Sequence, residues 1–178
     1  MYYYNDKAQV TQEVDSSYAF TRWHMYGSYI DEIFVSGDGT NYEFFFRDHL
    51  YSVAAVASST AAFAVTERVE YSSYGDPKIF AAGADGNFYT ADDVTSSASG
   101  FGNEYTFTGR RLDTLDSGNL QIMYYRNRYY SPEIGRFLQK DPHGINPDGN
   151  WNNPYSPRKQ YRDGLGSYAY CKNQPGRN

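Results

Sequence analysis

The sequence predicts an all-β chain of twisted antiparallel hairpins, with an irregular C-terminal segment packed back onto the sheet. Aromatic residues make up 19% of the chain, mostly Tyr (20) and Phe (11), and rings suit a pleated, half-buried surface. Sixteen glycines supply the backbone freedom that tight turns need. Apolar and polar residues alternate over short stretches bounded by turn residues, the period of a strand with one buried face. Mean hydropathy is −0.75, so the apolar surface comes as rings rather than aliphatic runs. A length of 178 residues suits one domain better than two.

Taken in order, residues 2–6 (YYYND) lead through a polar turn into 8–14. Residues 22–27 (RWHMYG) and 29–35 (YIDEIFV) form another pair. Ser36-Gly37-Asp38-Gly39 follows, and its Asp-Gly step is the strongest short hairpin signal in the chain. Residues 41–46 (NYEFFF) return from it. Residues 50–57 and 63–71 flank a small-residue turn at Ser58-Ser59-Thr60. The alanines at 54, 55, 57, 61, 62 and 64 would propagate a helix, but Val53, Val56, Val65, Thr66 and Val69 favour a strand. A hairpin is the better reading.

Residues 81–104 (AAGADGNFYTADDVTSSASGFGNE) are rich in Gly, Ala, Ser and Asp and predict a long surface loop. Regular pattern resumes at 105–109 and alternates strongly through 120–130. Beyond Asp141 the chain is rich in Pro, Gly and Asn as far as Arg162, then closes with 167–171. No stretch carries an amphipathic helix capped at both ends. Tyr-rich strand-and-turn units recur unevenly (YYYND, MYG, EYSSYG, EYTFTG), as in an array whose units bury their faces on one another.

A net charge of −5 argues against a nucleic-acid surface, which needs clustered Lys and Arg. The richest basic stretch, Arg158-Lys159-Gln160-Tyr161-Arg162, is short and is followed by Asp163. The lone Cys171 excludes an intrachain disulfide. No apolar run approaches the ~20 residues of a membrane-spanning helix. Residues 1–10 lack the basic and apolar regions of a signal peptide. Because the chain opens inside a strand pattern, it is expected to be cut from something longer.

Five phrases in fixed order carry a family resemblance. Phe46-Arg47-Asp48-His49-Leu50-Tyr51-Ser52-Val53 resembles the RDHLGSV phrase of RHS/YD-repeat proteins, with Tyr51 where glycine is usual. Residues 67–77 (ERVEYSSYGDP) look like their ERYEYDAYGRP, and 107–113 (FTGRRLD) like FTGRELD. Residues 126–144 (RNRYYSPEIGRFLQKDPHG) are similar to RARYYDPELGRFLSRDPIG, the hallmark of the RHS repeat-associated core domain. Residues 163–170 (DGLGSYAY) and Asn173-Gln174-Pro175 sit where that family has GGLNLYAY and NNP. The resemblance places YD-repeat hairpins over 1–109 and the core end over 110–178.

What the resemblance implies is a strip of a hollow β-shell. Strands spiral as one continuous sheet, the core domain curls inward as a plug, and the shell encloses or presents a C-terminal toxin or other effector. The expected role is mainly structural, and the expected partners are the remainder of the shell and the effector. The expected setting is a secreted or cell-surface bacterial protein. An isolated strip, with open sheet edges and an aromatic face, is expected to self-associate.

In some members of that family the core domain is an aspartyl protease acting on its own chain. Two carboxylates a few Å apart share a proton because both cannot ionise. Asp141 matches one family aspartate, Asp113 or Asp116 is the candidate partner, and Arg110 or Arg111 is the candidate that orients the pair. Residues 113–125 (DTLDSGNLQIMYY) are longer than the usual DAETGLYYY, Ser131 replaces the common Asp, and Gly166-Ser167 replaces NL. The plainer role of Asp141 is to accept backbone hydrogen bonds in an Asx-Pro turn, so no turnover of a small substrate is expected.

Asp85, Asn87, Asp92 and Asp93 are a calcium candidate. Hard cations want about six to eight oxygens and the spacing is not that of an EF-hand, so a solvated acidic loop is the better expectation. No other cofactor is predicted. His24, His49 and His143 carry no metal spacing, and His49 beside Asp48 suits hydrogen bonding at a strand end. No motif supports a Ser/His/Asp triad. A carbohydrate- or protein-binding surface is the remaining alternative, with Trp23 and Trp151 as the residues to watch.

Overall fold

The computed structural model describes residues 1–7, 9–29, 31–140 and 168–171. Among them the chain is all-β, in two antiparallel sheets. It divides into two units, Met1–Tyr71 with Pro77–Arg111, and Ser72–Asp76 with Leu112–Asn178.

The first unit is an open meander of nine strands that neighbour one another in chain order. They are β1 (Tyr2–Tyr4), β2 (Val10–Val14), β3 (Phe20–Tyr26), β4 (Ile33–Gly37), β5 (Tyr42–Arg47), β6 (Val53–Ser58), β7 (Val65–Tyr71), β8 (Pro77–Ala81) and β9 (Val94–Ser96). The register slips by a residue in the β1–β2, β2–β3, β3–β4, β5–β6 and β6–β7 pairs, and such bulges bend strands and strengthen their twist.

Four of the turns use one device. Asn5, Asp15, Asp48 and Ser72 each open a five-residue turn, and each side-chain oxygen accepts the amides two and four residues on, at 2.7–3.4 Å. The opening residue's own amide donates to the carbonyl four residues on in all four turns. Short oxygen-bearing side chains suit this role because they can bond their own backbone. Where the fourth residue is described it is left-handed: Tyr18 (φ 62°), Tyr51 (φ 64°) and Gly75 (φ 86°).

Tyr18 is 67% exposed, so little packing offsets its left-handed backbone, which costs an L-residue about 1–2 kcal/mol. Tyr18→Gly is therefore expected to stabilise the chain by about 0.5 kcal/mol, the added unfolded-state freedom of glycine cancelling part of the gain. A urea midpoint that falls instead would show the Tyr18 ring to be held by its surroundings.

One face of this sheet is covered. By register, His24 lies opposite Ser36, Ser36 opposite Glu43 and Glu43 opposite Ser58. Beside that polar row Ile33, Phe45, Val53, Val56 and Tyr105 form the core, with Tyr26 packed against it. Tyr105 reaches the core because the chain crosses back over the sheet after β9. The Val53 amide donates to the Thr106 carbonyl at 3.2 Å, the Thr108 amide donates to Ser52 Oγ at 3.1 Å, and the Tyr26 and Tyr105 hydroxyls meet at 2.6 Å. On the opposite face Met25, Phe46 and Phe63 are exposed.

In the second unit β10 (Leu112–Leu115), β11 (Leu120–Tyr124), β12 (Tyr129–Ser131) and β13 (Arg136–Phe137) pair in order. Tyr130 is fully buried, with ring centroids of Tyr125, Phe137 and Tyr170 at 5.6, 5.5 and 4.6 Å. Its hydroxyl donates to the Tyr74 carbonyl at 2.7 Å. Residues 168–171 pack onto this sheet, since Ala169 bridges Arg136 and the Phe137 amide donates to the Tyr168 carbonyl at 3.0 Å; the rest of the segment expected to pack back, 141–167 and 172–178, lies outside the described residues.

The hairpin over 50–71 forms, with a 3₁₀ turn, Ser59–Ala61, between its strands. Four expectations need correction. Residues 81–104 are not one loop, because β9 pairs with β8; its β-branched Val94 and Thr95 suit a strand. Residues 105–109 form a bridge and a 3₁₀ turn rather than a strand, with Thr108 left-handed. The alternation across 120–130 spans two strands, broken by a turn in which Arg126 has φ 60°. The strand expected from 29 begins at Ile33, because the Gly27 amide bonds the Glu32 carbonyl and the Tyr29 amide bonds Glu32 Oε2, closing a turn there.

Candidate functional site

The residues implied by the resemblance fall in different places. Asp113 lies on β10 opposite Ile122 and is half-buried. Asp116 is exposed and opens the 3₁₀ turn Asp116–Gly118 with φ 50°. Asp141 lies outside the described residues. Arg110 donates to Asp31 Oδ2. Arg111 pairs with Glu104 at 2.7 Å, donates to the Tyr2 hydroxyl and lies 4.1 Å from the Tyr2 ring centroid. Both arginines belong to the first unit, and Asp113 and Asp116 to the second.

A constellation that the sequence did not disclose lies on the covered face. His24 Nδ1 is 2.6 Å from Ser36 Oγ, and His24 Nε2 is 3.0 Å from Glu13 Oε1. With the Nε2 proton assigned toward the carboxylate, Nδ1 accepts from the Ser36 hydroxyl. These are the pairwise contacts of a Ser–His–Glu relay. Ser36, however, is 1% exposed and sits within β4, between β3 and β5. A nucleophile needs access and a set of free donors for the developing oxyanion. The row instead satisfies buried polar atoms across three strands. Only the register brings these residues together, and no local pattern announces it.

The carboxylates of the row are driven in opposite directions. Burial pushes the Glu13 carboxyl up, but the hydrogen bond and charge of His24, helped by Arg111 and Arg22, outweigh it and leave it lowered. Burial pushes Glu43 up more than the nearby Arg22 draws it down, and Glu43 Oε2 is buried without a hydrogen bond. Only in the pH window just above the ordinary carboxylate range does the folded chain keep a proton on Glu43 that the unfolded chain releases. Its contribution to stability is lost as pH rises through the window just above the ordinary carboxylate range.

Glu43→Gln is expected to stabilise the fold by about 1 kcal/mol near pH 7 and to leave it unchanged near pH 4, where the wild-type group is already neutral. Urea melts at the two pH values check this, and an equal effect at both would remove ionisation as the cause.

In the acidic loop, Thr90 Oγ1 lies 2.8 Å from Asp92 Oδ1, 3.3 Å from Asp93 Oδ1, 3.5 Å from Asp85 Oδ1 and 3.3 Å from the Asn87 carbonyl. Asp92 is exposed, and hydrogen bonds from Thr90 and the Asp85 amide lower its carboxyl. Asp93 also accepts from the Tyr89 amide and pairs with Arg68, whose guanidinium lies 4.1 and 4.0 Å from the Phe80 and Tyr89 ring centroids. Among the described residues no group of three His, Cys, Asp or Glu is placed to hold a metal ion. About 1 mM calcium is expected to move the melting temperature by less than about 1 °C, because only a ligand bound well below that concentration stabilises appreciably. A rise of several degrees would assign the loop to calcium.

Trp23 is half-buried, 6.0 Å from Tyr42 between ring centroids, and its ring lies across the α-carbon of Gly37, leaving no room there for a side chain. Trp151 lies outside the described residues.

No family model and no curated protein matches the chain. Solved structures do. The crystal structure of TcdB2-TccC3-Cdc42 is similar at 14% identity and TM-score 0.47, covering 98% of this chain and 10% of that one. The crystal structure of TcdB2-TccC3 matches over the same shares at 14% identity and TM-score 0.46, and the Photorhabdus luminescens Tc holotoxin pore at 13% and 0.43. The chain spans about a tenth of the length of each chain it matches.

Proposed function

We propose that this chain is a strip of an RHS/YD-repeat shell that encloses or presents an effector polypeptide, within a secreted or cell-surface bacterial protein. The observation that carries this reading is the turn used four times along one meander, at Asn5, Asp15, Asp48 and Ser72. It is the physical form of a repeat. Two family phrases, RDHLYSV and ERVEYSSYGDP, fall on two of these turns. Tyr51, where the family has glycine, occupies the left-handed position, which favours glycine. An open sheet with an exposed aromatic face also suits a wall better than a catalyst.

The test is a fusion of an unfolded passenger after Asn178. The passenger is expected to stay attached and to resist added protease about tenfold longer than the free passenger, as sequestration slows cleavage. Digestion at the free rate would remove the enclosing role. Spontaneous release that Asp141→Asn abolishes would establish the self-cleaving protease instead.

A further inference from the structure

We infer that residues 99–102 form a latch over the covered face, able to open while the sheet beneath stays folded. After β9 the chain reverses and crosses that face. Ser99 Oγ and the Gly100 amide donate to the two oxygens of the Glu67 carboxylate, at 2.7 and 2.6 Å. Arg22, reaching from β3, donates to the carbonyls of Phe101 at 2.8 Å and Gly102 at 3.4 Å. Inside the segment the Phe101 amide bonds Ser99 Oγ and the Gly102 amide bonds the Ser99 carbonyl. It is a self-contained turn, and these four bonds to the sheet run through two side chains rather than through a strand ladder.

The next residues are held differently. Asn103, Tyr105, Thr106 and Phe107 are buried, Tyr105 belongs to the core, and Thr106 takes a backbone bond from Val53. Gly102, with φ +68°, stands at the junction. Left-handed backbone there costs glycine nothing, so the chain can pivot between a lightly anchored segment and a fixed one.

The groups under the latch also favour two states. Glu67 is 3% exposed, and among the described residues it pairs with no basic side chain. Its described partners are the Ser99 hydroxyl and the Gly100 amide of the latch. Glu43, 6% exposed, keeps one oxygen without a hydrogen bond and lies 3.9 Å from Arg22. Closing gains charge-assisted bonds but holds two carboxylates away from water, which is costly where pairing is incomplete. Opening returns Glu67 and Arg22 to water and breaks none of the ladder bonds. The latch thus regulates access of water, or of a partner chain, to the charged part of the covered face.

Hydrogen exchange on the full chain tests this. The Gly100 and Phe101 amides should exchange at least about 100-fold faster than that of Val53, through local opening. Glu67→Gln should speed those two amides by about a further tenfold, the loss of roughly one charged hydrogen bond, and their exchange should stay nearly independent of added urea, because local opening exposes little surface, while that of Val53 rises steeply with it. Arg22→Gln, which removes the second anchor without touching Glu67, should act in the same direction. If Gly100 exchanges together with Val53 in the wild type, or if its exchange rises with urea as steeply as that of Val53 in either variant, the segment unfolds only with the sheet and the latch is overturned.

Discussion

Replacing Gly109 by alanine is expected to cost about 3 kcal/mol or more, among the largest effects of any single methyl group in this chain. Gly109 has φ +71°, and a Cβ there would stand 2.6 Å from the Asp31 carbonyl oxygen and 3.6 Å from that of Tyr51. The left-handed backbone alone costs an alanine about 1–2 kcal/mol. The contact adds more, because the obstacle is backbone and cannot rotate away.

The surroundings are pinned as well. The Gly109 amide bonds the Thr106 carbonyl, Thr108 bonds Ser52, and Arg110 pairs with Asp31. A urea midpoint with two-state fitting reads the effect. A loss under about 1 kcal/mol would mean that residues 106–110 are not pressed against the turns at 31 and 51, and the account of how the covered face is closed would fail.

The second large effect is expected at Tyr130. Tyr130→Ala removes a fully buried ring that meets Tyr125, Phe137 and Tyr170. Emptying such a site costs about 3–5 kcal/mol. Tyr130→Phe keeps the ring and removes only the bond from its hydroxyl to the Tyr74 carbonyl, a change worth about 1 kcal/mol. Near-ultraviolet circular dichroism during urea melts follows the aromatic cluster itself. Equal losses for the two variants would place the stabilisation in the hydroxyl and contradict a packing origin.

Much of the fold was legible because period and turn chemistry are local. The Asp-Gly step at 38–39 marks the observed turn between β4 and β5, and the Tyr-rich alternation and the valines that outvote the alanines of 53–69 correspond to observed strands. The common turn was harder to see, because its opening residue is Asn, Asp or Ser and its fourth residue, where described, is Tyr or Gly. These share hydrogen-bonding capacity or backbone angle, not identity. Strand β9 escaped because its three residues are all exposed, which leaves no alternation to detect.

The polar row was illegible for a different reason. Glu13, His24 and Ser36 meet only through the register of three strands, and a one-residue slip would turn any of them to the opposite face. The anchors of residues 99–102 are as remote, with Glu67 32 positions from Ser99 and Arg22 79 from Phe101. Of the aspartates singled out by resemblance, Asp113 and Asp116 hold places on a strand and a turn, where their chemistry depends on neighbours that no short phrase encodes.

The recurring turn has a consequence for how such a chain changes over generations. Each copy closes on its own five residues, so a whole hairpin can be duplicated or deleted at the level of the gene without new partners having to be found elsewhere. The neighbouring strands meet the same kind of edge as before. Growth in such an array is quantised in hairpins, and its length is free to drift or to be selected for capacity while the rule that builds it stays the same.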